Sequence, residues 1–381
     1  MSTIPQWQLM FVLPNLRLGE HERSPSEVTL GLEGIAIVPA SDSRVVEIRE
    51  RFESADRFLS SFHDGNGTAI TPAALIVRED WHSRIVANPE AVISFRNAVA
   101  TASILPIRAQ GQNHGFSGVL WSESFDDHPA RLRPDGSKFD YRTPALNSIG
   151  FRLDGLQLTP DLRVPRPHLM YADENLADRL GRAWWIRYGR KRDMQKTAKV
   201  FRSLEAACDA LGLRFTSHSS LSAVGLSTVP WTTAIEVLAA PEARDVKKWD
   251  CTQLIGRHEF SDPRLRRKMF WVKLKGSRCH MTQAQRIYLR LHEARSKFVH
   301  GDKVSVKLLL TDGDEAPPLL SLASTIYRTA LMAYLEGHWP ARVPSAREST
   351  SWAELLRQHV RDNHAVYEDH LLNAIGKSYW D

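Results

Sequence analysis

Arg295 and His300 are the side chains in this sequence best placed for acid–base chemistry at an anionic centre. An imidazole exchanges a proton near neutrality, and a guanidinium carries a permanent charge that suits phosphate oxygens. The two lie five positions apart in the run Gln285–Gly301, where Ile287, Leu291, Ala294 and Phe298 fall on one helical stripe. On a regular helix five residues turn through a net angle of about 140°. One regular helix therefore does not bring both onto a single line, but if it ends at His300, with Gly301 as a left-handed cap, His300 can turn into the same cleft. At a helix C-terminus an imidazole is biased toward its protonated form, which suits His300 to the role of acid. With 37 arginines and 15 histidines the spacing also recurs by chance. Arg163–His168 matches it, and Arg108–His114 and Arg286–His292 match with one more residue between. Pro165 and Pro167 exclude a helix at the first of these, and Arg108–His114 runs toward a glycine-rich segment. Only Arg295–His300 ends an amphipathic helix.

Other charged residues are candidates to support that pair. Glu236, between Ile235 and Val237, reads either as a buried carboxylate that orients Arg295 or as a solvated helix residue. Two basic clusters have the density to follow a nucleic-acid backbone. One is Arg187, Arg190, Lys191, Arg192 and Lys196; the other spans Arg264, Arg266, Arg267, Lys268, Lys273, Lys275 and Arg278, and Lys297 lies in the motif itself. Trp184, Trp185, Phe270 and Trp271 sit beside these clusters, either to stack on bases or to pack in the core. The alternative for the clusters is a solvated basic face. No metal site is expected, because Cys208, Cys251 and Cys279 form no CxxC pair and His258 and His280 add no zinc spacing. No cofactor is expected either, since neither GxGxxG nor a Walker A run occurs. Ser217–Ser222 with His218 lacks the glycines of a nucleophile elbow.

The elements that must carry these residues divide the chain at Thr159–His168, where Pro160, Pro165 and Pro167 oppose helix and central strand alike. Before it, Trp7–Leu18, Glu27–Ala40, Pro72–Arg78 and Ser148–Leu158 read as strands, and Ser43–Phe62 and Pro89–Leu105 as helices. Gln110–Thr143 reads as a long loop or irregular sheet. After it, helices are expected at Glu174–Tyr188, Met194–Leu211, Pro230–Leu238, Asp262–Leu274, Thr282–Val299, Pro318–Glu336 and Ser351–Ile375. Asp173, Thr282 and Ser351 (with Glu354) are suited to cap three of them. The expected fold is an α+β N-terminal domain, residues 1–165, followed by an all-α helical bundle, residues 166–381.

Charge follows the same division. The net +6 of the whole chain splits into −4 before residue 166 and +10 after it. The basic half thus suits a polyanionic partner. Of 381 residues 43% are hydrophobic and 25% charged, an ordinary globular composition that excludes collagen-like, coiled-coil and wholly disordered chains. No apolar run reaches the ~20 residues of a membrane span, and the first residues lack a basic n-region, so a cytoplasmic protein is expected.

The run Tyr288–Gly301, ending Arg-Ser-Lys-Phe-Val-His-Gly, resembles the signature of HEPN domains, in particular their Apea-like branch. Trp231–Leu238 is similar to that family's Ala-x-Glu-x-Leu helix, and Pro318–Glu336 to the helix that closes its bundle. The resemblance covers roughly residues 170–340 and touches nothing in residues 1–165. It implies a metal-independent endoribonuclease, working as a homodimer in which two Arg-x4-His motifs face one cleft. RNA carries its own nucleophile, the 2′-OH, so paired His300 side chains would supply base and acid and paired Arg295 side chains would stabilise the phosphorane. Ser296 stands where many active members have Asn, Asp or His, and is usual in the Apea-like branch. The resemblance also implies a part in prokaryotic anti-phage defence or as a toxin, with an activator or antitoxin acting through the N-terminal domain. The other outcome it allows is an inactive dimerisation or nucleotide-binding module whose function resides in residues 1–165.

Overall fold

The computed structural model describes residues 6–19, 24–64, 66–85, 88–114, 122–126, 128–129, 131–132, 139–140, 169, 172–212, 225–242, 244–274, 277–310, 318–340 and 364–374. The expected strand at 148–158, the proline-rich boundary at 159–168 and the cap at Ser351 lie outside these residues. Two compact units emerge. The first comprises Met1–Ala100, Val119–Ala172 and Leu180–Met194, and the second Thr101–Gly118, Asp173–Arg179 and Gln195–Asp381.

The first unit is built on Trp7–Leu13 (β1), Ile35–Pro39 (β2), Ser43–Arg51 (α1), Glu53–Leu59 (α2), Ala73–Arg78 (β3), Glu79–Ile85 (α3) and the start of Pro89–His114 (α4). His128–Pro129 (β4) completes an antiparallel sheet of order β2-β3-β1-β4, and Arg131–Leu132 (β5) pairs with Phe139–Asp140 (β6). Ile35–Val38 and Ala73–Val77 are buried without alternation, so both faces of these strands are covered. That burial limits the expected strand Glu27–Ala40 to its apolar end, leaving Val28 as a single bridge to Ile37. On one face Leu9, Val12, Ala36, Val38, Ala74 and Ile76 meet Val45 and Ile48 of α1 and Ala55 and Leu59 of α2. The single helix expected over Ser43–Phe62 is broken at Phe52, whose φ of −133° is extended. A rod of twenty residues would be about 30 Å long. Two short helices instead bring both apolar sets onto strands of five to seven residues.

Aromatic side chains pack the other part of this unit. Glu174–Trp184 (α5) runs into a π-helical turn, Trp185–Gly189. Trp184 is fully buried and its Nε1–H donates to the Ala91 carbonyl at 2.7 Å. Trp81 stacks on Trp185 with centroids 4.9 Å apart. Gly34 and Gly189 lie so close to these two rings that a Cβ would approach within 2.1 and 2.2 Å of them. Gly181 makes a harder contact, since a Cβ there would sit 1.9 Å from the backbone carbonyl of Leu30. Gly181→Ala is therefore expected to destabilise this unit by about 2 kcal/mol, through overpacking against atoms that cannot rotate away. A urea midpoint equal to that of the wild type would contradict the contact.

The second unit is mostly helical. It holds the rest of α4, Met194–Gly212 (α6), Thr228–Ala239 (α7), Lys248–Ile255 (α8), Pro263–Arg266 (α9), Gln283–His300 (α10), Val306–Leu309 (α11), Ala323–His338 (α12) and a helical stretch at 364–373. Every residue of Ala323–Leu335 is buried, so α12 is the central rod, with α7, α8 and α10 packed on it. The unit is not all-α. Asp262–Leu274, expected as one helix, is a single turn followed by Phe270–Leu274 (β7), which pairs with Ser277–Met281 (β8). Phe270, Val272 and Leu274 alternate with Trp271 and Lys273, and this period of two outweighs the helix-favouring basic run before it. Helix α8 was not expected, although Cys251, Leu254 and Ile255 have the spacing of a buried stripe.

Helix α4 continues past Leu105 through Pro106 to His114. Pro106 has no N–H, so the carbonyl one turn back, Ala102, lacks its helical donor. The backbone N–H of Asp173 supplies it, at 2.8 Å. Among the described residues no helix is long and apolar enough to cross a membrane.

Candidate active site

Helix α10 starts and stops on local chemistry. The Thr282 side chain accepts from the Gln285 N–H, and the Gln285 side chain accepts from the Thr282 N–H, which closes a capping box. Gly301, with φ of 74°, turns the chain left-handed at the other end and donates to the Lys297 and Phe298 carbonyls. Between these caps Ala284, Ile287, Tyr288, Leu291 and Ala294 are buried against the bundle. Phe298 closes over Gly225, where a Cβ would come within 1.9 Å of its ring. This seat fixes the rotation of the helix and hence the direction of every polar residue on it.

Arg295 Nη1 donates to Glu236 Oε1 across to α7 at 3.0 Å. The guanidinium side chain is 30% exposed and the carboxylate 16%, so the pair is only partly desolvated. Burial raises the Glu236 pKa and the Arg295 charge opposes that rise. One turn earlier on the same face, His292 Nε2 lies 3.9 Å from the same Glu236 oxygen. Burial first, then the charges of Arg295 and Lys248, push the His292 pKa down, which holds its imidazole neutral at pH 7. The row Tyr288, His292, Arg295 is thus one face of α10, meeting Glu236. The Arg-to-His spacing that singles out His300 does not select His292; its position three residues before Arg295 is the sequence signal that places it on this face.

His300 is the last residue of α10 and is exposed to solvent. On ideal helix geometry its Cα stands about 140° around the axis from that of Arg295, and the left-handed turn at Gly301 follows it directly. Ser296 is half-buried, and Lys297 is tied to Glu293 by an ion pair of 3.2 Å. Cys251, facing the same cluster, has its thiol pushed up to about 12 by burial and is inert as a nucleophile.

The basic candidates separate into two groups. Arg187 belongs to the first unit and is spent on structure, with Glu90 Oε1 and the Met194 carbonyl each at 3.1 Å. Arg190, Lys191 and Arg192 follow it on an exposed turn in which Lys191 has φ of 52°. In the second unit Arg266, Arg267 and Lys268 are exposed, Arg266 donating to the Ser261 carbonyl at 2.8 Å. Of the aromatic candidates, Trp184 and Phe270 are buried and Trp185 is covered by Trp81, whereas Trp271 is 64% exposed. No protein-family model, curated protein or solved structure matches this chain.

Proposed function

We propose that the second unit is a metal-independent endoribonuclease of HEPN type, with Arg295 and His300 as its working residues and a homodimer as its working state. The observation that carries the reading is a guanidinium held by Glu236 on a helix whose last residue is a solvent-facing histidine. Five residues of helix set the two Cα atoms about 140° apart around the axis, and in the homodimer the His300 of the second copy completes the cleft. Val299 and Val306, at and beyond the helix end, are 53% and 61% exposed and give that copy apolar surface to bury. In the reaction one imidazole takes the 2′-OH proton, the 2′-oxygen attacks phosphorus, and a second imidazole protonates the departing 5′-oxygen. Arg295 carries the charge that builds on the non-bridging oxygens, and Glu236 positions it. The products are a 2′,3′-cyclic phosphate and a 5′-OH. The biological role consistent with this chemistry is RNA cleavage in anti-phage defence or as a toxin, with the first unit sensing a trigger.

A second reading, an inactive scaffold or nucleotide-binding module, draws on the same ion pair, because Glu236 already occupies one nitrogen of Arg295. Cleavage of end-labelled RNA in EDTA separates the two. Wild type is expected to cut, and both His300→Ala and Arg295→Ala to lose at least about 100-fold in rate, the range of general acid–base catalysis. Cleavage that needs a metal, or that survives His300→Ala, would overturn the assignment.

A further inference from the structure

The hairpin β7–β8 presents two chemically distinct faces. Its inner face carries Phe270 and Met281, both buried, and the Arg286 guanidinium lies 4.4 Å from the centre of the Phe270 ring, which holds the ribbon against α10. Its outer face is Trp271, Lys273, Arg278 and His280, all exposed. Register sets Trp271 directly opposite His280 and Lys273 directly opposite Arg278. The first pair makes a platform, with ring centroids 3.6 Å apart and His280 Nδ1 within 3.1 Å of the Lys268 carbonyl. The second pair sets like charges face to face, an arrangement that destabilises a ribbon. Arg267 and Lys268 enter the hairpin from the same side of the sequence and are exposed too. Among the described residues no carboxylate lies within ion-pair distance of Arg267, Lys268, Lys273 or Arg278.

We infer that this outer face binds single-stranded RNA, one base stacking on Trp271 while Lys273, Arg278, Arg267 and Lys268 meet the flanking phosphates. An indole left 64% exposed beside cations that meet no carboxylate among the described residues matches a base in an anionic strand, in shape and in charge. A duplex fits less well. Its bases already stack on each other and leave no free base face for the exposed Trp271 ring. The choice of RNA over DNA rests on the ribonuclease reading above; the choice of a single strand rests on the hairpin alone.

The test is binding of a fluorescein-labelled RNA, 2′-O-methylated throughout so that it cannot be cut, followed by anisotropy across a salt series. Trp271→Ala is expected to weaken binding about tenfold or more, and Trp271→Phe to restore most of it. Lys273→Gln with Arg278→Gln is expected to make the log–log salt slope shallower by about 1.4. Both changes lie on an exposed surface, and circular dichroism verifies that the fold is kept. Equal binding by wild type and variants would overturn the inference. So would tighter binding to duplex DNA, or to vesicles of anionic lipid, that depends on the same residues. Hairpin-dependent binding without cleavage of unmodified RNA would refute the ribonuclease reading alone. Cleavage at an unchanged rate by both variants, at limiting RNA, would refute the hairpin alone.

Discussion

Asp173→Ala is expected to unfold the second unit under conditions where the wild type is folded. Asp173 is fully buried, and its Oδ2 lies 3.0 Å from both Nε and Nη2 of Arg328, itself 1% exposed. Its other oxygen accepts the Leu176 N–H at 3.0 Å and so caps α5. Removing the carboxylate strands a guanidinium on the central helix, faced among the described residues by the His364 Nδ1 at 3.0 Å, the ring of Tyr367 at 4.3 Å and the charge of Glu336. Breaking a buried pair from one side costs about 3–5 kcal/mol, and losing the cap about 1 more. That is a large part of the stability of an ordinary domain. Urea unfolding provides the measurement. Asp173→Asn keeps the cap and should fall between the two, and Asp173→Leu with Arg328→Met should recover much of the loss because no lone charge remains. A midpoint for Asp173→Ala close to that of the wild type would mean that Arg328 is not held as described.

The same region should make the protein sensitive to acid. His364 is pushed down to about 4, by burial first and then by the charges of Arg328 and Arg179, with Asp173 opposing. His370, which meets the Thr325 hydroxyl at 2.8 Å, is pushed down to about 4 by burial alone. His258 lies well below its ordinary value for the same reasons, with Glu336 3.9 Å from its Nδ1. Folded pKa values lie below unfolded ones, so between about pH 6.5 and 4 the unfolded chain binds protons that the native one refuses. Stability is complete above pH 6.5 and is lost as pH falls through that window. At pH 5, His364 and His370 each contribute a loss of about 2 kcal/mol relative to pH 7.5. Burial raises the pKa of Glu336 and Glu368, so their native-state protonation returns part of this. A fall of about 10 °C or somewhat less in the thermal midpoint is expected between pH 7.5 and 5. His370→Gln should flatten the profile, and a midpoint unchanged over that range would exclude the account.

Helix positions were readable wherever an apolar stripe and a cap coincide, as at Thr282, where the capping box begins α10, and at Gly301, whose αL turn ends it. Phe52 was not readable, because Val45, Ile48, Ala55 and Leu59 keep a helical period across the break. What divides them is the short sheet they cover, a tertiary demand. The hairpin was hidden for a different reason: Arg264–Lys268 favour helix locally, and only the alternation from Phe270 onward opposes it. In the candidate site, Glu236 is visible in the sequence as the one charge on the apolar helix α7, and Arg295 as one of several charges on the amphipathic helix α10. Their 3.0 Å contact depends on how α7 and α10 cross. His292 and Trp271 illustrate the remainder. The i, i+3 spacing puts His292 on the Arg295 face, but Glu236 opposite it, like His280 opposite Trp271, comes from packing and register that linear spacing does not report.

Pro106 bears on how the second unit selects its own arrangement. Proline inside a helix is ordinarily a defect, and an alanine in its place would favour the helix by about 3 kcal/mol. Here the defect leaves one acceptor vacant at Ala102, and the chain that fills it carries Asp173. An amide at position 106 would compete for that acceptor and release the residue that neutralises Arg328. The helix thus recognises a distant stretch of its own chain through a hydrogen it does not possess, and a locally favourable repair would erase that recognition.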